Sequence, residues 1–254
     1  MQVFIKKSLI ILLLFVSILN ASTLRNDIKL LEASEDIKFI AQSIVKDYLY
    51  LSINPQKDEA IKNLNLAVEK LDEKLRLIST ITNSSDTKNI LNFIAFSRDE
   101  ISETLSQPYS MENGSLMLDY SEVLLEGSES IANDYSYKFS TEEKMIINIK
   151  KMAYLIERIT KYYMAIQAQF NDHNNMQQLE LSIKIFDEEL LKLDSYNYGE
   201  KSSQDLAVLK HNWSITKSFY RSVKERKLTN ITYISAQNLE NLISKLEYFH
   251  TQNQ

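Results

Sequence analysis

The stretch Phe39-Ile-Ala-Gln-Ser-Ile-Val-Lys-Asp-Tyr-Leu-Tyr-Leu51 has a counterpart later in the chain, Tyr154-Leu-Ile-Glu-Arg-Ile-Thr-Lys-Tyr-Tyr-Met-Ala-Ile166. The shift between their first residues, 39 and 154, is 115 residues, and the same shift pairs Leu75 with Leu190 without a gap. Most matches are apolar for apolar, which two copies retain when packing is their shared constraint. The period is far longer than that of solenoid repeats. It therefore predicts two copies of a small domain or half-domain.

The composition and the spacing of apolar residues indicate that each copy is helical. Three Gly and two Pro in 254 residues are too few for sheets and tight turns. From Met145 to Phe170, apolar side chains recur at steps of four and three, which is one face of a long helix. Ser140 and Glu143 fit a capping box at its start. Leu75 and Leu190 occupy equivalent core positions on the second helix of each copy.

Each copy supplies four amphipathic helices with short connections, which favours antiparallel neighbours. The predicted fold class is all-α, with two tandem four-helix bundles that arose from an internal duplication. The predicted boundaries are a signal peptide at 1–21, the first copy at 22–135 and the second copy at 136–254. If the stretch 133–140 is helical, the fourth and fifth helices form one continuous rod; otherwise it is a junction between the copies.

The N-terminus has the pattern of an export signal. Lys6 and Lys7 precede an apolar run from Leu9 to Leu19, and Asn20-Ala-Ser22 offers a small-residue cleavage site. The run is too short for an ordinary membrane span. The predicted location is therefore periplasmic or secreted, and an N-terminal anchor in the inner membrane is the alternative interpretation.

The composition excludes several classes of site. The absence of Cys rules out disulfides, thiolate metal sites and Cys nucleophiles. A formal net charge of −5, with charges of both signs interspersed, argues against nucleic acid as a partner. No Gly-rich phosphate loop and no paired catalytic carboxylates occur. We therefore predict no enzymatic activity and no cofactor.

Two further residue types are predicted to be structural. The three histidines fall in different elements, none has a metal-ligand partner at helical spacing, and surface positions are expected for His173, His211 and His250. No metal site is predicted. Three large aromatic residues lie on the core stripes and are expected to pack there: Tyr48, Tyr163 and Trp213.

The two motif stretches, residues 38–48 and 154–163, resemble a motif that runs approximately Gly-Arg-Gln-Arg-Met-Leu-Ser-Gln-Arg-Ile-Ala-Lys-x-Tyr. It marks the N-terminal sensor domain of type IV pili methyl-accepting chemotaxis transducers (the PilJ type), which is similar to the helical nitrate-sensing domains of NarX-type histidine kinases. The domain of that family is an extracytoplasmic four-helix bundle that commonly occurs in tandem. The resemblance implies a small anionic ligand held by motif side chains.

Residue by residue, the resemblance gives the candidate ligand-binding set Lys38, Gln42, Arg158 and Lys161. Lys38 stands at the family's Arg before Met, Gln42 at its Gln, Arg158 at its later Arg and Lys161 at its Lys. Since Ile159 faces the core, Arg158 is expected to face outward. Neither copy keeps the full anion-binding set, because five motif positions carry other residues: Glu35, Ser43, Lys150, Ala153 and Glu157.

The resulting prediction is a free-standing periplasmic binding or sensor protein that lacks the family's signalling module. Its partners would be a membrane-bound receptor or envelope protein and a second copy of the chain, since a homodimer seam brings two incomplete half-sites together. The alternative is a structural or interaction protein of the cell envelope or pilus machinery that has lost ligand binding.

Overall fold

The computed structural model describes the backbone of residues 2–135 and 138–253 and the side chains of residues 26–135 and 138–253. Those residues contain no β-strand, which confirms the all-α class. A single 3-10 turn, Leu193–Ser195, follows the sixth helix. The helices are α1 (Gln2–Ile53), α2 (Asp58–Ile81), α3 (Ser85–Leu105), α4 (Met111–Asn133), α5 (Thr141–Gln167), α6 (His173–Lys192), α7 (Glu200–Arg221) and α8 (Thr229–Gln252).

Side-chain caps define where several helices begin. Helices α3 to α6 start at residues whose side chains accept a backbone N–H three positions later: Ser84, Ser110, Ser140 and Asp172. Ser140 and Glu143 form the predicted capping box. Helix α4 ends at Asn133 and α5 begins at Thr141, so the two are separated by a junction and do not form one rod.

The helices of the two halves contact one another in the same order. Helix α1 packs against α2 and α4, and α3 packs against both of those; α5, α6, α7 and α8 repeat this arrangement. This is the closed order of a four-helix bundle. The origin of the two halves by internal duplication stays a prediction.

The two halves meet through α1 and α5, the helices that carry the repeated stretch. Asp36 contacts Lys150 and Lys46 contacts Glu157, so residue numbers rise together along the pair and the helices run parallel. Residues 41–50 and 154–166 are buried on every side. Such burial is typical of helices that are apolar on all faces, but these two segments also carry charged residues. Polar residues within these two segments are therefore enclosed by protein.

The predicted core positions are confirmed. Leu75 and Leu190 are buried, as are Tyr48, Tyr163 and Trp213. One contiguous cluster of buried apolar residues extends across both halves. The predicted signal peptide lies outside the residues with described side chains. Among the residues inside that range, no helix is both long enough and apolar enough to cross a membrane.

Candidate functional site

The structure buries the basic residues of the predicted site, including Arg158, which the sequence predicts to face outward. Arg158 is only 7% exposed and makes a bidentate contact with Glu122 on α4, at 2.9 and 2.8 Å. Its second Nη donates to Gln178 Oε1 on α6 at 3.0 Å. The expectation of an outward-facing Arg158 is wrong, because this side chain ties α4, α5 and α6 together.

Lys161 is fully enclosed beside the same carboxylate. Its Nζ donates to Glu122 Oε1 at 2.6 Å and to Ser121 Oγ at 3.0 Å, and it lies 4.2 Å from the ring centroid of Tyr162. Burial, opposed by Glu122 and reinforced by Arg158, lowers the pKa of Lys161 to about 8. Burial acts to raise the pKa of Glu122, but Lys161 and Arg158 outweigh it and bring that pKa to about 2.

The other two predicted residues lie on α1. Gln42 donates its Nε2 to the backbone carbonyl of Ser121 at 3.3 Å, so it joins Arg158 and Lys161 around one turn of α4. Lys38 lies one turn earlier on α1, where its Nζ donates to Glu35 at 2.8 Å. Three of the four predicted residues thus converge, and the two cations among them, Arg158 and Lys161, already bind Glu122.

A second charged cluster lies on the opposite side of the α1–α5 seam. Lys46 Nζ donates to Glu157 Oε1 at 2.9 Å and lies 3.5 Å from Asp47 Oδ1. Tyr233 on α8 donates its hydroxyl to the same Asp47 oxygen at 2.7 Å. Lys46, Asp47 and Glu157 are at most 3% exposed. This cluster places more carboxylate than ammonium in the protein interior.

The carboxyl groups of this cluster are poorly satisfied. Among the described residues, Asp47 Oδ2, Glu157 Oε2 and Glu240 Oε1 are buried without a hydrogen-bond partner. Burial raises the pKa of Asp47 to about 6, against the opposing effect of Lys46. Burial and the neighbouring Glu240 raise the pKa of Glu157 well above its usual value, against the opposing effect of Lys46. Burial therefore favours the protonated form of Glu157.

These carboxyl groups border a cavity of about 200 Å³ between α1, α2, α5 and α8. Its charged wall consists of Lys46, Asp47, Glu157 and Glu240, and an exposed lysine, Lys70, stands at its edge. The remaining wall is apolar and polar uncharged, including Phe39, Ile40, Leu66, Ala67, Asn63 and Gln237. A neighbouring cavity of about 300 Å³ shares Phe39, Ile40 and Lys70 with it.

The histidines divide between surface and interior. His173 and His211 are exposed as predicted, but the expectation for His250 is wrong, since it is fully buried. Its Nε2 lies 2.9 Å from the Tyr198 hydroxyl, and its Nδ1 contacts Glu142. Across residues 26–135 and 138–253, no three acidic or histidine side chains come close enough to hold a metal ion.

Sequence reasoning missed Asp47, although a signal was present. Asp47 lies among apolar residues in a segment whose counterpart, Tyr162, is not charged. A carboxylate within a helix segment that is buried on all sides requires a buried partner or a ligand. Glu157 occupies the position equivalent to Gln42, and this replacement of an amide by a carboxyl group marks the same cluster.

Comparison with known protein families, with curated proteins and with solved structures returned no match in any of the three.

Proposed function

We propose that this chain is a non-enzymatic binding protein of the extracytoplasmic sensor type, exported by its N-terminal segment. The observation that carries the proposal is the cavity beside the α1–α5 seam, with buried carboxyl oxygens on its wall that lack a partner in the described structure. Burying a polar group without a hydrogen bond costs free energy, and a bound ligand that supplies donors recovers it.

The location of the cavity suits a sensor. It touches α1 and α2 of the first half and α5 and α8 of the second, so a ligand there contacts both halves at once. Any ligand that binds one relative position of α1 and α5 more tightly shifts the balance between positions. A membrane-bound receptor that contacts these helices would read that shift.

The predicted site around Arg158 and Lys161 is a weaker candidate for ligand binding. Glu122 already binds both cations, so an incoming anion would have to displace a carboxylate that is partly buried. Displacement would leave Glu122 without its partners, which is costly for a partly buried charge.

A thermal-shift screen of amines, amino acids, carboxylates and inorganic oxyanions against the mature chain tests the proposal. A ligand present at about 100 times its Kd adds about 2.7 kcal/mol to the free energy of unfolding, which is readily detected. We expect at least one class to raise the melting temperature. If no compound does so at millimolar concentration, the chain is not a small-molecule binding protein.

In that case a separate observation supports the alternative, a structural or interaction protein of the envelope. Phe93 and Phe96 on α3 are 62% and 60% exposed. Neighbouring exposed aromatic side chains are typical of protein contact surfaces.

A further inference from the structure

We propose that the cavity bordered by Asp47, Glu157 and Glu240 binds the ammonium group of a small aliphatic primary amine. This inference rests on the proposed binding function and names its ligand class. It differs from the anionic ligand that the sequence motif implies.

The charge balance of the cavity wall leaves room for one cation. Lys46 compensates one of the three carboxyl groups through its 2.9 Å contact with Glu157. A proton on Glu157, favoured by its burial beside Glu240, removes a second charge. One negative charge then remains on Asp47 and Glu240, because Lys70 is exposed to solvent at the cavity edge, and a ligand cation would neutralise it.

The available oxygen atoms fit an ammonium group. Asp47 uses Oδ1 for the Tyr233 hydroxyl and the contact with Lys46, and its Oδ2 is the buried atom for which the described structure provides no donor. Glu240 Oε1, on the α8 side of the cavity, is also buried without a hydrogen-bond donor in the described structure. An –NH₃⁺ group carries three N–H donors and no acceptor, so it can satisfy two carboxylates and a polar neighbour such as Asn63.

The rest of the wall selects an organic amine over an inorganic cation. The acidic side chains are too dispersed to form a metal site within the described residues. The cavity is far larger than a single ion, at about 200 Å³. Phe39, Ile40, Leu66 and Ala67 supply an apolar wall against which a short alkyl chain packs.

The test uses probes with one shared four-carbon chain: n-butylamine, γ-aminobutyrate and butyrate, with ammonium chloride as the inorganic cation. Calorimetric titration of the mature chain at neutral pH measures the Kd of each. We expect n-butylamine to bind, γ-aminobutyrate to bind more weakly because of its carboxylate, and butyrate and ammonium chloride not to bind.

Asp47→Asn is the matched site variant, because an Asn oxygen still accepts the Tyr233 hydroxyl while the charge is lost. It should weaken n-butylamine binding by about tenfold or more, as expected for loss of a charge-assisted hydrogen bond. Asp205→Asn on α7, which pairs with Lys245 at 3.7 Å outside the cavity, removes the same charge and should leave the Kd unchanged.

The outcomes separate the inference from the function on which it rests. If butyrate or inorganic oxyanions bind and n-butylamine does not, the amine inference is wrong and the binding function stands. Equal n-butylamine affinity in wild type and Asp47→Asn, or equal affinity for ammonium chloride and n-butylamine, also overturns the inference. If no compound of any class binds, the binding function itself is wrong.

Discussion

At the scale of single residues, the two charged clusters beside the α1–α5 seam differ in which charge is in excess. Around Glu122, one carboxylate receives two cations, and both cations are buried. Around Asp47, three carboxyl groups share one lysine, and oxygen atoms remain without partners in the described structure. The first arrangement is that of a structural ion-pair network. The second is typical of a site that is completed by a ligand or a proton.

Replacing Arg158 by Ala should destabilise the fold. The change removes the bidentate contact with Glu122 and the bond to Gln178, and leaves Glu122 with Lys161 alone. The expected loss is about 1.5–3 kcal/mol, the range for hydrogen bonds to charged groups, because Glu122 retains some access to water. Chemical denaturation followed by circular dichroism measures this loss.

Two variants make the Arg158 experiment specific. Arg98→Ala removes an arginine that contacts Asp72 at the surface, where both side chains are about one third exposed, and should cost less than about 1 kcal/mol. Arg158→Lys keeps the charge but loses the planar fork and should fall between wild type and Arg158→Ala. A similar small loss in Arg158→Ala and Arg98→Ala would show that Arg158 has no structural role.

The raised pKa of Asp47 predicts a pH dependence of stability. Its folded-state pKa of about 6 exceeds the usual value of 3.8, so the folded state binds a proton more readily than the unfolded state. Its stabilising contribution is full below about pH 4 and is lost as the pH rises through about 6. Asp47→Asn should therefore reduce the gain in melting temperature that wild type shows between about pH 7 and about pH 5.

The Asp205→Asn variant is the control for this measurement, since its carboxylate lies on α7, outside the cavity, and is partly exposed. It should retain the wild-type pH dependence. Identical pH profiles for wild type and Asp47→Asn would show that Asp47 is ionised in the folded state across this range.

At the scale of helices, the sequence predicts amphipathic elements well and central elements less well. Helices α2 and α6 bury one stripe, so Leu75 and Leu190 can be placed from spacing alone. Segments 41–50 of α1 and 154–166 of α5 are buried all round, so spacing does not tell which side a polar residue faces. The sequence therefore assigns Arg158 to the motif, but only the structure shows that Arg158 is buried and that its partner lies on α4.

The close approach of α3 and α4 depends on a glycine within a helix. A Cβ atom at Gly127 would lie 2.2 Å from Ile94 Cγ2, and Ile94 is fully buried. Gly127→Ala raises helix propensity by about 1 kcal/mol, but it forces the Ile94 side chain to move in a packed core. We expect a net destabilisation of about 1–2 kcal/mol, measured by chemical denaturation.

A double-mutant cycle tests the cause of this loss. Ile94→Ala alone should cost about 2–5 kcal/mol because it leaves a cavity. The combination Ile94→Ala with Gly127→Ala should cost clearly less than the two single changes together, since the new methyl group occupies the vacated space. If the losses in unfolding free energy are additive, the destabilisation by Gly127→Ala does not arise from a clash with Ile94.

At the scale of the whole molecule, α1 and α5 join the two halves of the chain. The sequence predicts two copies with a boundary at 135/136, and it places the seam between half-sites in a homodimer. In the structure the two motif helices contact each other within one chain, through Asp36–Lys150 and Lys46–Glu157. Periodicity shows which faces of a helix are buried. It does not show which helix of the other copy covers them, because both motif segments are buried on every side.

The shared core predicts that both halves unfold together. Trp213 is the only tryptophan in the chain and lies in the second half, so its fluorescence reports that half, whereas circular dichroism reports all the helices. Leu75→Ala in the first half removes a buried side chain and should cost about 2–5 kcal/mol. Because one contiguous core joins the halves, the Trp213 transition should shift as far as the circular dichroism transition.

Leu190→Ala, the equivalent change in the second half, should shift both transitions in the same way. Leu191 is exposed, so Leu191→Ala should shift neither transition appreciably. If Leu75→Ala moves the circular dichroism transition and leaves the Trp213 transition in place, the halves unfold independently. The α1–α5 contact would then be too weak to couple them, and a ligand in the adjoining cavity would stabilise one half without the other. Coincident transitions in all the variants would instead mean that the two halves unfold as one unit. A ligand bound between α1, α2, α5 and α8 would then stabilise the entire chain. A sensor that acts through the relative position of its helices requires this.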